Sequence, residues 1–290
     1  MSVEWWLSFT LINLVVRHTR LFAMPTVDVK FSSPPPPKHQ PTVLSDSLLK
    51  QLARQSTVRI TGNNSAGSGV LVQRRGEIYT ILTNWHVFDF SPSWVILTVD
   101  GRRHPLIGSP KQLGNIDLAI AQFASPFSYG VATISDEPLE EKTVVYAGGF
   151  PLYRRDNLNP SLSSGVEGFL FTTGQVSLIL SKPLPQGYQI GYTNQVEIGM
   201  SGGPIFNAQG LLVGVNGRVK YRDPGFGAYT FADGTVPPPG LLNKMIQSSW
   251  GIPISTYRNF TVRSVYQNAN EPIQSFSFPT WRGNYRNVGG

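Results

Sequence analysis

Between residues 57 and 232 the apolar positions fall in short runs broken by polar turns, without the long stripes of amphipathic helices. Val70-Leu71-Val72, then Arg74-Arg75-Gly76, then Ile78-Tyr79-Thr80-Ile81 reads as strand, turn, strand. The same grammar recurs in Ile205-Phe206, Asn207-Ala208-Gln209-Gly210 and Leu211-Leu212-Val213. Further strands are predicted over 94–99, 118–123, 144–150, 169–176 and 188–193. Many short strands at this spacing predict an all-β architecture of two antiparallel barrels, over 57–133 and 134–232. Two helices flank them. Ser45 and Asp46 are capping residues for a helix whose leucines and alanine share one face, and a second apolar stripe covers 241–250 after Pro237-Pro238-Pro239-Gly240.

The ends of the chain differ in kind. Residues 5–16 are mostly apolar but interrupted by Ser8, Thr10 and Asn13, and the run is shorter than a membrane span requires. It has the character of a secretory signal core, although Glu4 precedes it where a basic residue is usual. Export to a periplasmic or extracellular location is the expectation, with membrane contact through this segment, or a start codon placed too early, as the competing readings. Pro34 to Pro37 read as a stiff, extended linker, with a docking site for a proline-reading domain as the alternative, so 1–44 is read as one N-terminal region. Residues 45–250 make one domain of ordinary size, and 251–290 are a C-terminal extension.

Composition adds three exclusions. The 29 glycines and 23 prolines suit turn-rich β structure, and zero cysteines exclude a disulfide framework, a thiol nucleophile and thiolate-bound zinc. No HExxH-type spacing occurs, so neither a catalytic metal nor a cofactor is expected. The net charge of +7 raises the question of nucleic acid, but its location answers it. Residues 51–240 carry fourteen Lys/Arg against thirteen acids, whereas 241–290 carry five against one. A nearly neutral core without a basic stripe is not expected to bind nucleic acid.

The chemistry centres on Gly199-Met200-Ser201-Gly202-Gly203-Pro204. A serine on a glycine-flanked turn exposes its hydroxyl, and the N–H groups of Gly199 and Ser201 can converge on one small volume. Serine is a weak nucleophile alone and needs a base. There are four histidines, His18, His39, His86 and His104, and none follows Ser201. The Gly199-x-Ser201-x-Gly203 pattern also fits the nucleophile elbow of α/β-hydrolases, but their chain order of serine, acid, histidine is then impossible. His86 ends the alternating run Ile78–Trp85 and is the candidate base, whereas His104, beside Arg102 and Arg103, reads as a solvated turn residue. Of the acids between His86 and Ser201, Asp89 and Asp100 have turn explanations. Asp117, at the edge of Ile116-Asp117-Leu118-Ala119-Ile120, is an acid beside an apolar strand that requires a partner.

Thr83-Asn84-Trp85-His86-Val87, Ile116-Asp117-Leu118-Ala119 and the Gly199–Pro204 run together resemble the trypsin-like serine peptidases of the chymotrypsin fold, and most of all their bacterial HtrA-like branch. Gly67-Ser68-Gly69-Val70 and Gly149-Phe150-Pro151 also match. The resemblance implies two six-stranded barrels, the second closed by the helix at 241–250. It implies a serine endopeptidase acting on protein or peptide substrates, with Ser201 as nucleophile, His86 as base and Asp117 orienting it. The oxyanion hole would be formed by Gly199, Met200 and Ser201, with Gly199 and Ser201 donating and Met200 set between them. The substrate pocket would have Gln195 at its floor and Val196, Val215, Asn216 and Gly217 as walls, with no carboxylate at the floor. A small or apolar substrate side chain is therefore expected there.

Two departures matter. Met200 stands where zymogen-activated relatives carry an aspartate that pairs with a new N-terminus, so activity is expected without such processing. Fifty residues follow Gly240 (290 − 240), too few for a PDZ module, so none is expected. A protease-fold binding protein with an inert cleft is the alternative of another class. The sequence leaves open the substrate, the oligomeric state and the role of the extension.

Overall fold

The computed structural model describes residues 42–63, 65–89, 93–153 and 161–261. The expected leader and proline linker, up to residue 41, and the extension beyond 261 lie outside the described residues. Among those described, no helix is long and apolar enough to cross a membrane.

Helix α1, Asp46–Ser56, begins where expected: Ser45 accepts from the Leu48 amide at 3.3 Å. Leu49 and Ala53 are buried on its inner face, and the preceding Leu44 amide donates to Ala208 O, docking the helix entry on a turn late in the chain. The chain then enters a seven-stranded antiparallel sheet made of β1 (Thr57–Thr61), β2 (Ala66–Arg75), β3 (Ile78–Thr83), β4 (Val95–Leu97), β5 (Arg103–Pro105), β6 (Lys111–Gln112) and β7 (Ala119–Ala124). Its order is β5-β4-β1-β2-β3-β7-β6. The Ile107 amide, just past β5, donates to Gln122 O of β7 at 2.7 Å, so the sheet curls round onto itself. A barrel left open in this way stands where a closed six-stranded one was expected. Ile60, Tyr79, Ile81 and Phe123 fill it, all fully buried.

The second barrel is closed, in the order β10-β13-β12-β11-β8-β9. Its strands are β8 (Val144–Gly149), β9 (Leu170–Ile179), β10 (Ile190–Tyr192), β11 (Pro204–Asn207), β12 (Leu212–Arg218) and β13 (Ser249–Pro253). This corrects the expected boundary. The barrel does not end at residue 232: its sixth strand lies beyond an excursion carrying helix α2, Pro239–Ile246. The stretch read as one closing helix over 241–250 is thus the end of α2 plus the start of β13. The helix that follows the last strand occupies residues 254–261. The apolar stripe at 241–250 hid this change, since Trp250 and Ile252 are buried in a strand pairing with β12 and β10.

His104 also departs from expectation. It is in β5, whose burial alternates so that Arg103 and Pro105 face out while His104 faces the core. Its ring packs on Phe123 and Tyr129, and Nε2 lies 3.2 Å from the Tyr129 hydroxyl and 3.3 Å from Thr98 Oγ1. Asp100 behaves as a turn residue, accepting from Thr98 Oγ1 and from the Arg102 amide, with Gly101 at φ 79°.

Candidate active site

His86 is not on β3 itself. The strand ends at Thr83, and a short 3-10 turn, Trp85–Phe88, turns the imidazole out of the sheet. Asn84 anchors that turn, its side-chain amide donating to Asp117 O at 2.8 Å. Asp117 precedes β7, the neighbour of β3, so sheet pairing alone brings these two segments together. The carboxylate then holds His86 twice. Oδ1 accepts from the His86 backbone amide at 2.9 Å, and Oδ2 lies 2.7 Å from Nδ1. An ionised carboxylate can only accept, so the shared proton belongs to Nδ1 and the lone pair of the neutral ring is on Nε2. Asp117 is 2% exposed whereas the His86 side chain is 38% exposed, so the acid is sealed beneath a ring that still reaches solvent. Burial alone would raise the Asp117 carboxyl. Hydrogen bonds from the His86 ring, the charge that ring carries once protonated, and hydrogen bonds from the Tyr188 hydroxyl and the His86 amide outweigh it, and the group sits below the usual carboxylate range.

Ser201 arrives from the second barrel, on the turn between β10 and β11. Its hydroxyl donates to Gly217 O at 3.1 Å, and among the described residues no hydrogen bond joins it to His86. The turn is held by its own peptides. Leu152 donates to Ile198 O at 2.7 Å and Gly203 donates to Met200 O at 3.0 Å. Because N–H and C=O point oppositely across a trans peptide, fixing these carbonyls aims the amides of Gly199 and Ser201 the other way. Neither amide donates to a carbonyl among the described residues. The Met200 amide is committed to Glu197 O, and its side chain is fully buried, so Met200 only spaces the two donors. Gly199 has φ 98°, and a Cβ there would stand 2.6 Å from Leu152 N and 2.7 Å from Phe150 O. Only glycine fits.

The expected pocket residues separate into two groups. Val196 and Val215 belong to the buried core, and the Asn216 side chain is used by the Tyr192 hydroxyl and Gly148 O. All three side chains are buried, so they present no accessible side-chain surface beside Ser201. Gln195 is half-buried, bonded to Glu197, and the accessible edge beyond Gly217 is Arg218 and Val219, both half-buried.

Two contributors were not assigned roles from sequence. Ser68, within the Gly67–Val70 motif, is fully buried; its hydroxyl donates to Gly199 O at 2.9 Å and accepts from the Phe150 amide at 2.8 Å. The Ser68 backbone amide also donates to Ser201 O at 2.8 Å, so the first barrel grips the serine turn directly. The other is Tyr188, whose hydroxyl donates to Asp117 Oδ2. The motif around Ser68 was a usable signal. Nothing local in the sequence marks Tyr188.

With this geometry in view, the likenesses to known proteins are specific. Residues 67–215 match the model of the trypsin-like peptidase domain. A probable periplasmic serine endoprotease, DegP-like, from Halomonas elongata is 27% identical over 174 residues, covering 58% of this chain and 32% of that protein. The serine protease Do-like HtrA of Bacillus subtilis is 29% identical over 156 residues, covering 53% and 33%. The chain therefore spans about a third of the length of these curated relatives. The crystal structure of a serine endoprotease from Yersinia pestis superposes with a TM-score of 0.52 at 18% identity, over 78% of this chain and 69% of the other, and shares the fold. Since the matched span exceeds half of the 290 residues and contains His86, Asp117, Ser201 and the glycines around them, the chain belongs to the trypsin-like peptidase domain family.

Proposed function

We propose that the protein is a serine endopeptidase in which Ser201, His86 and Asp117 form the reacting set. The observation that carries this reading is the double hold of Asp117 on His86, which leaves the lone pair on Nε2 of a ring that reaches solvent. For attack, the Ser201 hydroxyl leaves Gly217 O and turns to that nitrogen. As the oxygen bonds to the carbonyl carbon, its proton passes to Nε2, and the carboxylate below steadies the imidazolium. The carbonyl oxygen gathers negative charge facing the Gly199 and Ser201 amides. Collapse expels the amine, which takes the proton from Nε2. An acyl ester stays on Ser201 until water, deprotonated by the same nitrogen, releases the acid and restores the hydroxyl.

The substrates are proteins or peptides, in keeping with the relatives. The residue before the scissile bond would lie between Gln195 and the Gly217–Val219 edge. With Gln195 in place of a carboxylate, a small or apolar side chain suits that position better than a cation. The Halomonas relative, named as periplasmic, supports export, and the N-terminal residue of the mature protein tests this: retention of Met1 in the soluble form would count against a cleaved signal.

One observation favours a second reading, a binding protein with an inert cleft: the Ser201 hydroxyl is engaged with Gly217 O. Labelling with a fluorophosphonate probe separates the two. An active enzyme labels covalently and the Ser201→Ala variant does not, whereas equal, negligible labelling of both proteins would overturn the peptidase reading.

A further inference from the structure

The acid of the site is held from two sides. From its own sheet it meets His86; from the second barrel it meets Tyr188, whose hydroxyl donates to the same Oδ2 that faces the imidazole. Tyr188 is 1% exposed, so no solvent competes for this bond. The surrounding backbone is built to deliver it. The Asp117 amide donates to Gln186 O at 2.9 Å, locking the two segments together two residues before the tyrosine. Gln186 adopts φ 67°, rare for a residue with a side chain, and the turn depends on it. Above the ring, the Arg218 guanidinium sits 4.0 Å from its centroid and donates to Pro185 O and Gln186 Oε1. Beside it, Gly217 supplies the space: a Cβ there would fall 2.2 Å from Tyr188 Cε1 and 2.4 Å from the hydroxyl. One strand edge thus offers its carbonyl to Ser201 and its missing side chain to Tyr188.

We propose that Tyr188 is a positioning residue for the Asp117–His86 pair, its phenol spanning the two barrels to keep the carboxylate ionised and aimed at Nδ1. This rests on the reading of Ser201, His86 and Asp117 as the reacting set. The charged and titratable groups facing the carboxylate are His86, Tyr188 and, across the phenol ring, Arg218. Burial, followed by the neighbouring Asp117 charge, pushes the phenol well above its ordinary range, so it stays protonated and can only act here as the donor. The bond ties the relative placement of the barrels to the state of the acid, a link that the sheet pairing within the first barrel does not supply.

The test is Tyr188→Phe in the full chain, which keeps the ring under Arg218 and removes only the hydroxyl. Losing one donor lets Asp117 take up a proton at higher pH and loosens its aim. The expected result is a fall in kcat/KM of about tenfold with KM within about twofold, the scale of a lost hydrogen bond to a charged group. The acid limb of the pH profile, which reports the proton on the reacting base, should move upward because a carboxylate with one donor fewer attracts the imidazolium more strongly, and the proton resonance of the His86 imidazole N–H should shift in the NMR spectrum. A merely structural tyrosine would move neither the limb nor the resonance. Superimposable profiles and an unmoved resonance in a folded variant would overturn the proposal. The resonance decides even without turnover: if the wild type failed to label with fluorophosphonate, the peptidase reading would fall, while a shifted resonance would still establish the hold of Tyr188 on the pair.

Discussion

Replacing Ser68 by alanine removes one hydroxyl and disturbs two backbone groups on the far side of the barrel junction. The hydroxyl accepts from the Phe150 amide at 2.8 Å and donates to Gly199 O at 2.9 Å, with the residue fully buried. The alanine methyl can serve neither, so a buried N–H and a buried C=O lose a partner. Each unsatisfied group costs about 1–3 kcal/mol, which gives a stability loss of about 2–6 kcal/mol, toward the lower figure if a water replaces the hydroxyl. In a domain of this size each kcal/mol lowers Tm by about 2–4 °C. Chemical denaturation followed by tryptophan fluorescence measures the loss directly. Function should suffer separately, because the Gly199–Met200 peptide, freed at its carbonyl, can rotate between the two proposed oxyanion donors. Losing one donor outright costs ~10²–10³ in rate, so fluorophosphonate labelling should slow by at least about tenfold when measured where the variant is still folded. A variant that unfolds within about 0.5 kcal/mol of the wild type and labels at the same rate would refute the reasoning, since surface-like substitutions fall in that range.

Gly199→Ala should cost ~10²–10³ in labelling rate while circular dichroism shows the barrels intact, because φ 98° and the contacts with Leu152 N and Phe150 O force the turn to move. His104 governs a pH dependence remote from the cleft. Burial depresses its pKa below the ordinary 6.5, so above that value both folded and unfolded chains are neutral there and stability is full. As pH falls below 6.5 the unfolded chain takes up the proton first, and stability declines until the folded pKa is reached. His104→Gln should flatten that decline, measured as the difference in urea midpoint between about pH 7.5 and about pH 5. An unchanged difference would show that other groups carry it.

The strands of the first sheet were legible from burial and side-chain type: β7 alternates because one face is packed, and β3, buried on both faces, reads as a short run of β-branched, aromatic and aliphatic residues. Ile78–Thr83 and Ala119–Ala124 lie close to their expected positions for that reason. The site motifs were legible because their constraints are local: a turn that needs φ 98° at Gly199, and an acid beside an apolar strand at Asp117. The misreadings share a cause. β13 follows α2 with only Gln247 and Ser248 between them and no Gly or Pro to mark the break, so sequence pattern alone could not tell strand from helix. The inward-facing His104, on a three-residue edge strand, was obscured by its arginine neighbours. Val215 and Asn216 followed the family's pocket by motif position, but β12 is covered on both faces and both side chains are buried.

The sequence by itself therefore determined the kinds of chemistry available: an alcohol on a strained turn, an imidazole, a carboxylate that must be paired, and the β architecture able to carry them. Only the tertiary structure decided how they are held. Ser68 reaches Gly199 across 131 residues of chain, and Tyr188 reaches Asp117 across 71. Such contacts leave no periodicity behind, because a single hydrogen bond between barrels constrains one atom on each side and nothing in the neighbouring sequence.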